Sequence, residues 1–214
     1  MKPIPVGLLV VAGLAVGTAR AQVPGMDPGD LGRDPYGRAS FVLRKTIFNF
    51  DVLFVEIRFG RDTASALAAL AASRKPGPEL TALIASRAYV AEDAFVEIEF
   101  KRDVSLDQFL DGVRQNLERA RRANMIDEAD FRRISSAMPR WFAFLEDEGI
   151  KKGDRIFYRI RPDSLRTVYI DRTGRLRLDQ TNPGATPGRP VLGSYFAPGS
   201  DFRDGLVNSL LRPR

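Results

Sequence analysis

The sequence predicts an α+β fold in which an antiparallel sheet packs against a layer of helices. Strand-like segments of alternating polar and apolar residues are joined by short turns, as in an antiparallel sheet. The helical segments are grouped between these hairpins, whereas a parallel sheet would alternate one strand with one helix. At 214 residues, 44% hydrophobic and 28% charged, the chain is long and apolar enough for one domain with a substantial core.

The first half of the chain is expected to begin with strands and continue with two short helices. Aromatic and β-branched residues dominate residues 41–59, which predicts either two strands or one long bent strand. Residues 63–72 and 79–87 are rich in Ala and Leu, and a Lys-Pro-Gly-Pro break separates these two predicted helices. Residues 94–101 alternate strictly between polar and apolar side chains, and this pattern predicts a strand.

Three helices are predicted in the middle of the chain. Ser105 and Gln108 have the spacing of a capping box, which opens a helix that continues to about residue 122. Asp127 is expected to cap a second helix ending near residue 136. Pro139 is expected to begin a third helix, which ends at Gly149.

The last part of the chain predicts a three-stranded meander followed by two helices. The strands are expected at residues 155–161, 165–170 and 175–178, joined by short turns of which the second contains Gly174. Residues 181–190 are predicted to be a Pro/Gly-rich loop. The closing helices are then expected at 191–196 and 200–211.

The amino-terminal residues have the pattern of a secretory signal. Residues 1–21 combine Lys2, a short apolar run and an Ala-Arg-Ala site, so cleavage before Gln22 and export, to the periplasm in a Gram-negative cell, are predicted. A retained membrane anchor is the alternative interpretation; after cleavage no membrane span is expected. Residues 22–36 are predicted to be a disordered lead-in, and residues 37–214 to be a single domain.

The composition excludes several classes of catalytic site. The chain has no His and no Cys, so Ser-His-Asp triads, thiol nucleophiles and His- or Cys-ligated metals are ruled out. No Gly-rich phosphate loop and no metal-ligand spacing is present, so no cofactor and no metal is predicted. Removal of residues 1–21 lowers the formal charge from +6 to +4. Since the arginines are interleaved with acidic residues, nucleic-acid binding is not expected.

Several local motifs, taken together and in this order, resemble the chalcone isomerase-like family. The motif Gly-Ile-Lys-Lys-Gly-Asp at 149–154 leads into the strand Arg-Ile-Phe-Tyr-Arg-Ile at 155–160. Later the chain reads Val-Leu-Gly-Ser-Tyr-Phe-Ala-Pro-Gly-Ser at 191–200 and Arg-Asp-Gly-Leu at 203–206. Near the front, residues 44–59 are similar to the family's first strand pair. The resemblance covers roughly 37–211.

The resemblance implies an open-faced β-sandwich, with a large antiparallel sheet, helices on one face and a ligand cleft between them. Plant members of this family close a chalcone into a flavanone without a cofactor. In these enzymes an Arg on an early strand and ordered water manage the charge of an oxyanion. A Tyr and an Asn on one helix, a strand Thr and a Thr or Ser on the penultimate helix line the cleft.

Matching these positions one by one gives four candidate ligand-binding residues in this chain. Asn116 stands at the family's Asn position, and Phe109 stands where the family has Tyr, so that hydroxyl is missing. Ser194 matches the Thr/Ser position, and Arg44, or alternatively Arg38, matches the strand Arg. The strand Thr falls on one of two positions that are not Thr: Asp51 or Leu53.

Each candidate also has a purely structural interpretation. Phe109 lies on the apolar stripe of its helix and suits the core, while Asn116 suits a cap or a solvent-exposed position. Ser194 suits a helix N-cap. Arg44 suits an exposed strand position, and if it were buried it would need a carboxylate partner such as Asp51.

Three functions remain open at this point. The first is a non-catalytic protein that binds a small amphiphile, such as a fatty acid, in an apolar cleft with polar groups on its wall. The second is a cofactor-free isomerase, or intramolecular lyase, in which Arg44 stabilises an oxyanion while Asn116 and Ser194 position substrate or water. The third is an envelope interaction protein whose cleft is filled by packed side chains.

Overall fold

The computed structural model describes residues 25–45 and 50–212 of the chain, and at Lys45, Phe50 and Asp51 it describes the backbone alone. A six-stranded antiparallel sheet forms its centre, and the strands are arranged in the order in which they occur along the chain. The strands are β1 (Arg38–Lys45), β2 (Phe50–Phe59), β3 (Ala94–Phe100), β4 (Arg155–Arg161), β5 (Ser164–Ile170) and β6 (Leu176–Pro183). This sheet confirms the predicted α+β class and its antiparallel pairing.

Six α-helices pack against one face of the sheet, which we call the inner face. Their apolar side chains form one continuous core with strand residues such as Ile57, Val96 and Ile156. Among the described residues, no helix is both long and apolar enough to cross a membrane. The helices are α1 (Arg61–Ser73), α2 (Pro78–Tyr89), α3 (Leu106–Arg122), α4 (Glu128–Trp141), α5 (Arg189–Phe196) and α6 (Arg203–Leu210).

Local sequence signals predicted several helix ends and turns correctly. The Ser105 hydroxyl accepts a hydrogen bond from the Gln108 backbone N–H, and the Gln108 side chain accepts one from the Ser105 N–H. Asp127 caps α4 by accepting from the Asp130 N–H at 2.7 Å. Gly174 has a φ of +88° in the turn between β5 and β6. These predictions hold because each depends on a few neighbouring residues alone.

The largest differences from the predicted element boundaries lie in α4 and β6. Helix α4 continues through Pro139 to Trp141, and a short 3-10 turn at Ala143–Leu145 replaces the third predicted helix. Pro139 lies in the last turn of α4 and cannot donate to the Ser135 carbonyl, so the helix lacks one hydrogen bond there. Strand β6 extends to Pro183, well into the predicted loop, because its polar residues pair with β5 along its whole length.

Residues 25–36 were expected to be disordered, but they pack across the outer face of the sheet. Met26 and Leu31 are buried there against apolar side chains of β3, β4 and β5, among them Phe95 and Phe157. The Gly32 N–H also donates to the Phe59 carbonyl at 3.1 Å. Composition alone indicated disorder because the apolar partners of this segment come from distant strands. The predicted signal segment, residues 1–21, lies outside the described residues.

The loop between the 3-10 turn and β4 is held by a buried carboxylate. Asp154 is only 3% exposed and accepts hydrogen bonds from the Tyr169 hydroxyl and from the backbone N–H groups of Lys151 and Arg172, at 2.5, 2.7 and 2.8 Å. Gly153 has a φ of +92°, which a residue with a side chain rarely adopts. The Gly-Asp motif of the resemblance therefore has a structural role here.

Candidate functional site

A cavity of about 660 Å³ lies between the inner face of the sheet and helices α3, α4 and α5. Its volume falls within the range of roughly 300–1,000 Å³ that is typical of small-molecule sites. The wall is largely apolar and aromatic, with contributions from Ile98, Phe100, Met138, Trp141, Phe142 and Val191. The cavity lies between sheet and helices, where the resemblance implies a ligand cleft.

Three of the four predicted ligand-binding residues line this cavity: Phe109, Asn116 and Ser194. Phe109 and Asn116 are seven residues apart on α3, so they lie on the same helix face. The ring of Phe109 also packs edge-on against Phe100 and Phe142, with centroid distances of 6.0 and 5.1 Å. Phe109 is therefore both a core residue and part of the cavity wall.

The two polar members of this set already make hydrogen bonds within the protein. The Asn116 side-chain oxygen accepts from the Arg119 guanidinium at 2.7 Å. The Ser194 hydroxyl donates to the Val191 carbonyl at 2.7 Å, as is common for Ser inside a helix. The remaining amide N–H₂ of Asn116 and the lone pairs of the Ser194 oxygen are the hydrogen-bonding capacity left to a ligand.

The structure does not bring the predicted strand arginine to the cavity. Arg44 is exposed on the edge strand β1 and does not line the cavity. Its neighbour Leu43 does line it, and the register of β1 with β2 shifts between these two residues. The alternative residue, Arg38, forms an ion pair with the buried Glu56. Of the two positions matched to the strand Thr, Leu53 lines the cavity, while the Asp51 side chain lies outside the described residues.

A different arginine, Arg102, supplies positive charge to the cavity wall. It follows β3 and lines the cavity, and its Nε atom is buried without a hydrogen-bond partner among the described residues. Within that part of the chain its guanidinium also makes no ion pair. Arg119 and Arg133 line the cavity as well, but both are paired, with Asp201 at 3.7 Å and with Asp130 at 2.6 Å. Sequence reasoning missed Arg102 because nothing local distinguishes it from the many exposed arginines.

A glycine in the middle of α3 leaves space next to the predicted residues. Gly112 lies between Phe109 and Asn116 along the helix and lines the cavity. A Cβ atom placed on Gly112 would meet no described atom within 4 Å beyond its own helix backbone. A mid-helix glycine costs roughly 1 kcal/mol relative to alanine. No neighbouring side chain therefore forces a glycine at this position.

Three hydroxyl groups on β4, β5 and α5 form a further polar part of the wall, which we call the hydroxyl cluster: Tyr158, Thr167 and Tyr195. Tyr158 and Thr167 are direct neighbours across β4 and β5. Burial raises the pKa of Tyr158. Burial is also the main cause of the raised pKa of Tyr195, and the nearby Tyr158 raises it further. Both phenols are therefore neutral hydrogen-bond donors at physiological pH. No sequence pattern singled out this cluster, because its members meet only in the folded chain.

The raised pKa values of these tyrosines predict a loss of stability in alkali. The folded state holds the phenolic protons of Tyr158 and Tyr195 more tightly than the unfolded chain does. The resulting contribution to the free energy of unfolding is complete below pH 10, the usual pKa of tyrosine, and is lost as the pH rises above that value. We expect urea-unfolding free energies to fall above about pH 10, by about 1.4 kcal/mol per pH unit for each tyrosine. A Tyr158→Phe/Tyr195→Phe variant should show a shallower decline, and an unchanged slope would contradict this assignment.

Within residues 25–45 and 50–212, no group of three or more acidic side chains is placed to hold a metal ion. No protein-family model matches the chain, and no curated protein matches it either. The chemistry of the site therefore has to be argued from its own residues.

Proposed function

We propose that this chain is an exported, chalcone isomerase-like protein that binds a small amphiphile with one anionic head, such as a fatty acid, without transforming it. Arg102 carries the proposal, because it lines a large apolar cavity and its Nε is buried without a hydrogen-bond partner among the described residues. A buried donor of a cationic group that stays unsatisfied is costly, whereas an anion bound beside it compensates for that cost. The apolar and aromatic wall then suits the hydrocarbon part of the same molecule.

The space at Gly112 supports the proposal independently. A well-packed core leaves few voids larger than a water molecule, and a mid-helix alanine would be more stable than a glycine. An open position on the cavity wall, retained at a cost to the helix, suits a ligand that approaches the α3 backbone closely.

The geometry favours binding over catalysis. An isomerase of the kind that the resemblance implies uses its strand Arg to stabilise a developing oxyanion and has a Tyr hydroxyl in the cleft. Arg44 lies away from the cavity, and Phe109 offers no hydroxyl at the position of the family's Tyr. The open volume also disfavours the third hypothesis, in which packed side chains fill the cleft. We therefore expect no turnover when chalcones are offered as substrates.

Replacing Arg102 with Met tests the proposal, because Met keeps most of the apolar stem and removes the charge. Delipidated wild-type protein should bind dodecanoate more tightly than dodecanol, measured by displacement of a fluorescent hydrophobic dye or by calorimetry. In Arg102→Met we expect dodecanoate affinity to fall by roughly tenfold or more, since a charge-assisted hydrogen bond is lost. Dodecanol affinity should change little.

Arg133→Met is the matched control. Arg133 lines the same cavity, but it is already paired with Asp130, so its loss should change dodecanoate affinity by less than about threefold. The proposal is wrong if the delipidated protein binds neither dodecanoate nor the dye. If Arg102→Met and Arg133→Met weakened dodecanoate binding equally, Arg102 would not be the group that binds the anionic head.

A further inference from the structure

We infer that the cavity binds its ligand at two separate points, with the anionic head at Arg102 and a second, uncharged oxygen at the hydroxyl cluster. The ligand class is then an oxygenated chain acid, such as a hydroxy or oxo fatty acid, rather than a plain one. This inference rests on the proposed function and narrows it to a more specific chemistry.

The burial of the hydroxyl cluster is the first step of the argument. Tyr195 and Thr167 are only 7% and 6% exposed, and both line the cavity together with Tyr158. Burial is the main cause of the raised pKa of both phenols, and no hydrogen bond to another residue contributes to either pKa shift. Buried hydroxyl groups in native proteins nearly always have a partner. A ligand oxygen facing the cluster would supply one.

The position of the cluster relative to Arg102 is the second step. Tyr158 pairs with Val96 on β3, and the strand continues from Val96 for four more residues to Phe100, a distance of roughly 13 Å along the strand. Arg102 lies two residues beyond that end. The aromatic wall, including the rings of Phe100 and Phe109, is located between the two polar regions. One head group therefore does not occupy both regions, and an apolar segment joins them.

The chemistry of the cluster is the third step. Its three side chains are neutral, and each hydroxyl can donate one hydrogen bond and also accept through its oxygen. Without a positive charge nearby, a second carboxylate would be desolvated at a high cost, whereas a hydroxyl or carbonyl oxygen would not. Thr167 and the two phenols thus favour a neutral oxygen on the ligand chain.

The test compares dodecanoate with 12-hydroxydodecanoate and with acids carrying the hydroxyl or oxo group at inner positions. Wild-type protein should bind at least one oxygenated acid about fivefold or more tightly than dodecanoate, the gain expected for a net hydrogen bond. In Tyr158→Phe/Tyr195→Phe the ratio of the affinity for the oxygenated acid to the affinity for dodecanoate should fall to about one. Tyr36→Phe, whose residue does not line the cavity, should keep the preference.

The outcomes separate this inference from the function on which it rests. Equal affinity of wild type for all acids, or a preference that persists in the double variant, overturns the inference and leaves fatty-acid binding intact. If no acid binds, the proposed function itself fails. A native urea-unfolding curve shows that the double variant is folded; if it does not fold, the single Tyr158→Phe and Tyr195→Phe variants, each measured for the ratio of the two affinities, decide the question.

Discussion

Replacing Asp154 with Ala is expected to lower the free energy of unfolding by about 3–4 kcal/mol. The carboxylate accepts from one buried hydroxyl and two backbone N–H groups, and its removal leaves these donors without partners. Tyr169, whose hydroxyl is one of the three, is fully buried, so water does not replace the lost hydrogen bond. Urea denaturation, monitored by circular dichroism, measures the difference.

Asp103→Ala is a matched control in the same region. The Asp103 carboxylate also accepts from a backbone N–H, that of Lys152 at 2.8 Å, but its side chain is 64% exposed. Water can replace the carboxylate there, and we expect a much smaller loss of stability than in Asp154→Ala. If the two variants were equally destabilised, burial of the Asp154 network would not explain its contribution. Tyr169→Phe should fall between them, because it removes one of the three donors.

Replacing Gly112 with Phe is expected to weaken dodecanoate binding by about 100-fold or more while the protein stays folded. The new side chain would project from the cavity-lining face of α3 into space that no described atom occupies. The phenylalanine ring would therefore occupy volume that the ligand needs, without clashing with core side chains. Dye displacement and a thermal unfolding curve measure binding and stability on the same sample.

Gly112→Ala separates helix propensity from occupied volume. A single methyl group should stabilise the protein by about 0.5–1 kcal/mol, because glycine is the poorer helix former. It should change dodecanoate affinity by only a few-fold. Unchanged affinity in Gly112→Phe, with a native unfolding curve, would mean that the ligand does not lie along this part of α3.

Much of the fold follows from short-range signals in the sequence. Alternation over residues 94–101 predicted β3, and the Ser105–Gln108 capping box predicted the start of α3. The prediction of disorder over residues 25–36 is the principal error. Its local composition is that of a disordered chain, and it packs only because Met26 and Leu31 meet apolar side chains of three strands.

The candidate site could be predicted only where helix geometry carried the information. The seven-residue spacing of Phe109 and Asn116 places both on one face of α3 in any structure that keeps the helix. Arg44 was placed by matching a strand position, and on a strand a shift of one residue moves a side chain to the opposite face. Leu43 faces the cavity, and Arg44 is exposed.

By itself, the sequence determined the α+β class, the antiparallel pairing, most element boundaries and the exclusion of His- and Cys-dependent chemistry. These properties depend on composition and on contacts between near neighbours. Only the tertiary structure decided which arginines line the cavity and that Arg102 is the one of these whose buried Nε has no partner among the described residues. The same holds for the hydroxyl cluster, whose members come from β4, β5 and α5. Long-range packing brings such side chains together, and no local pattern encodes it.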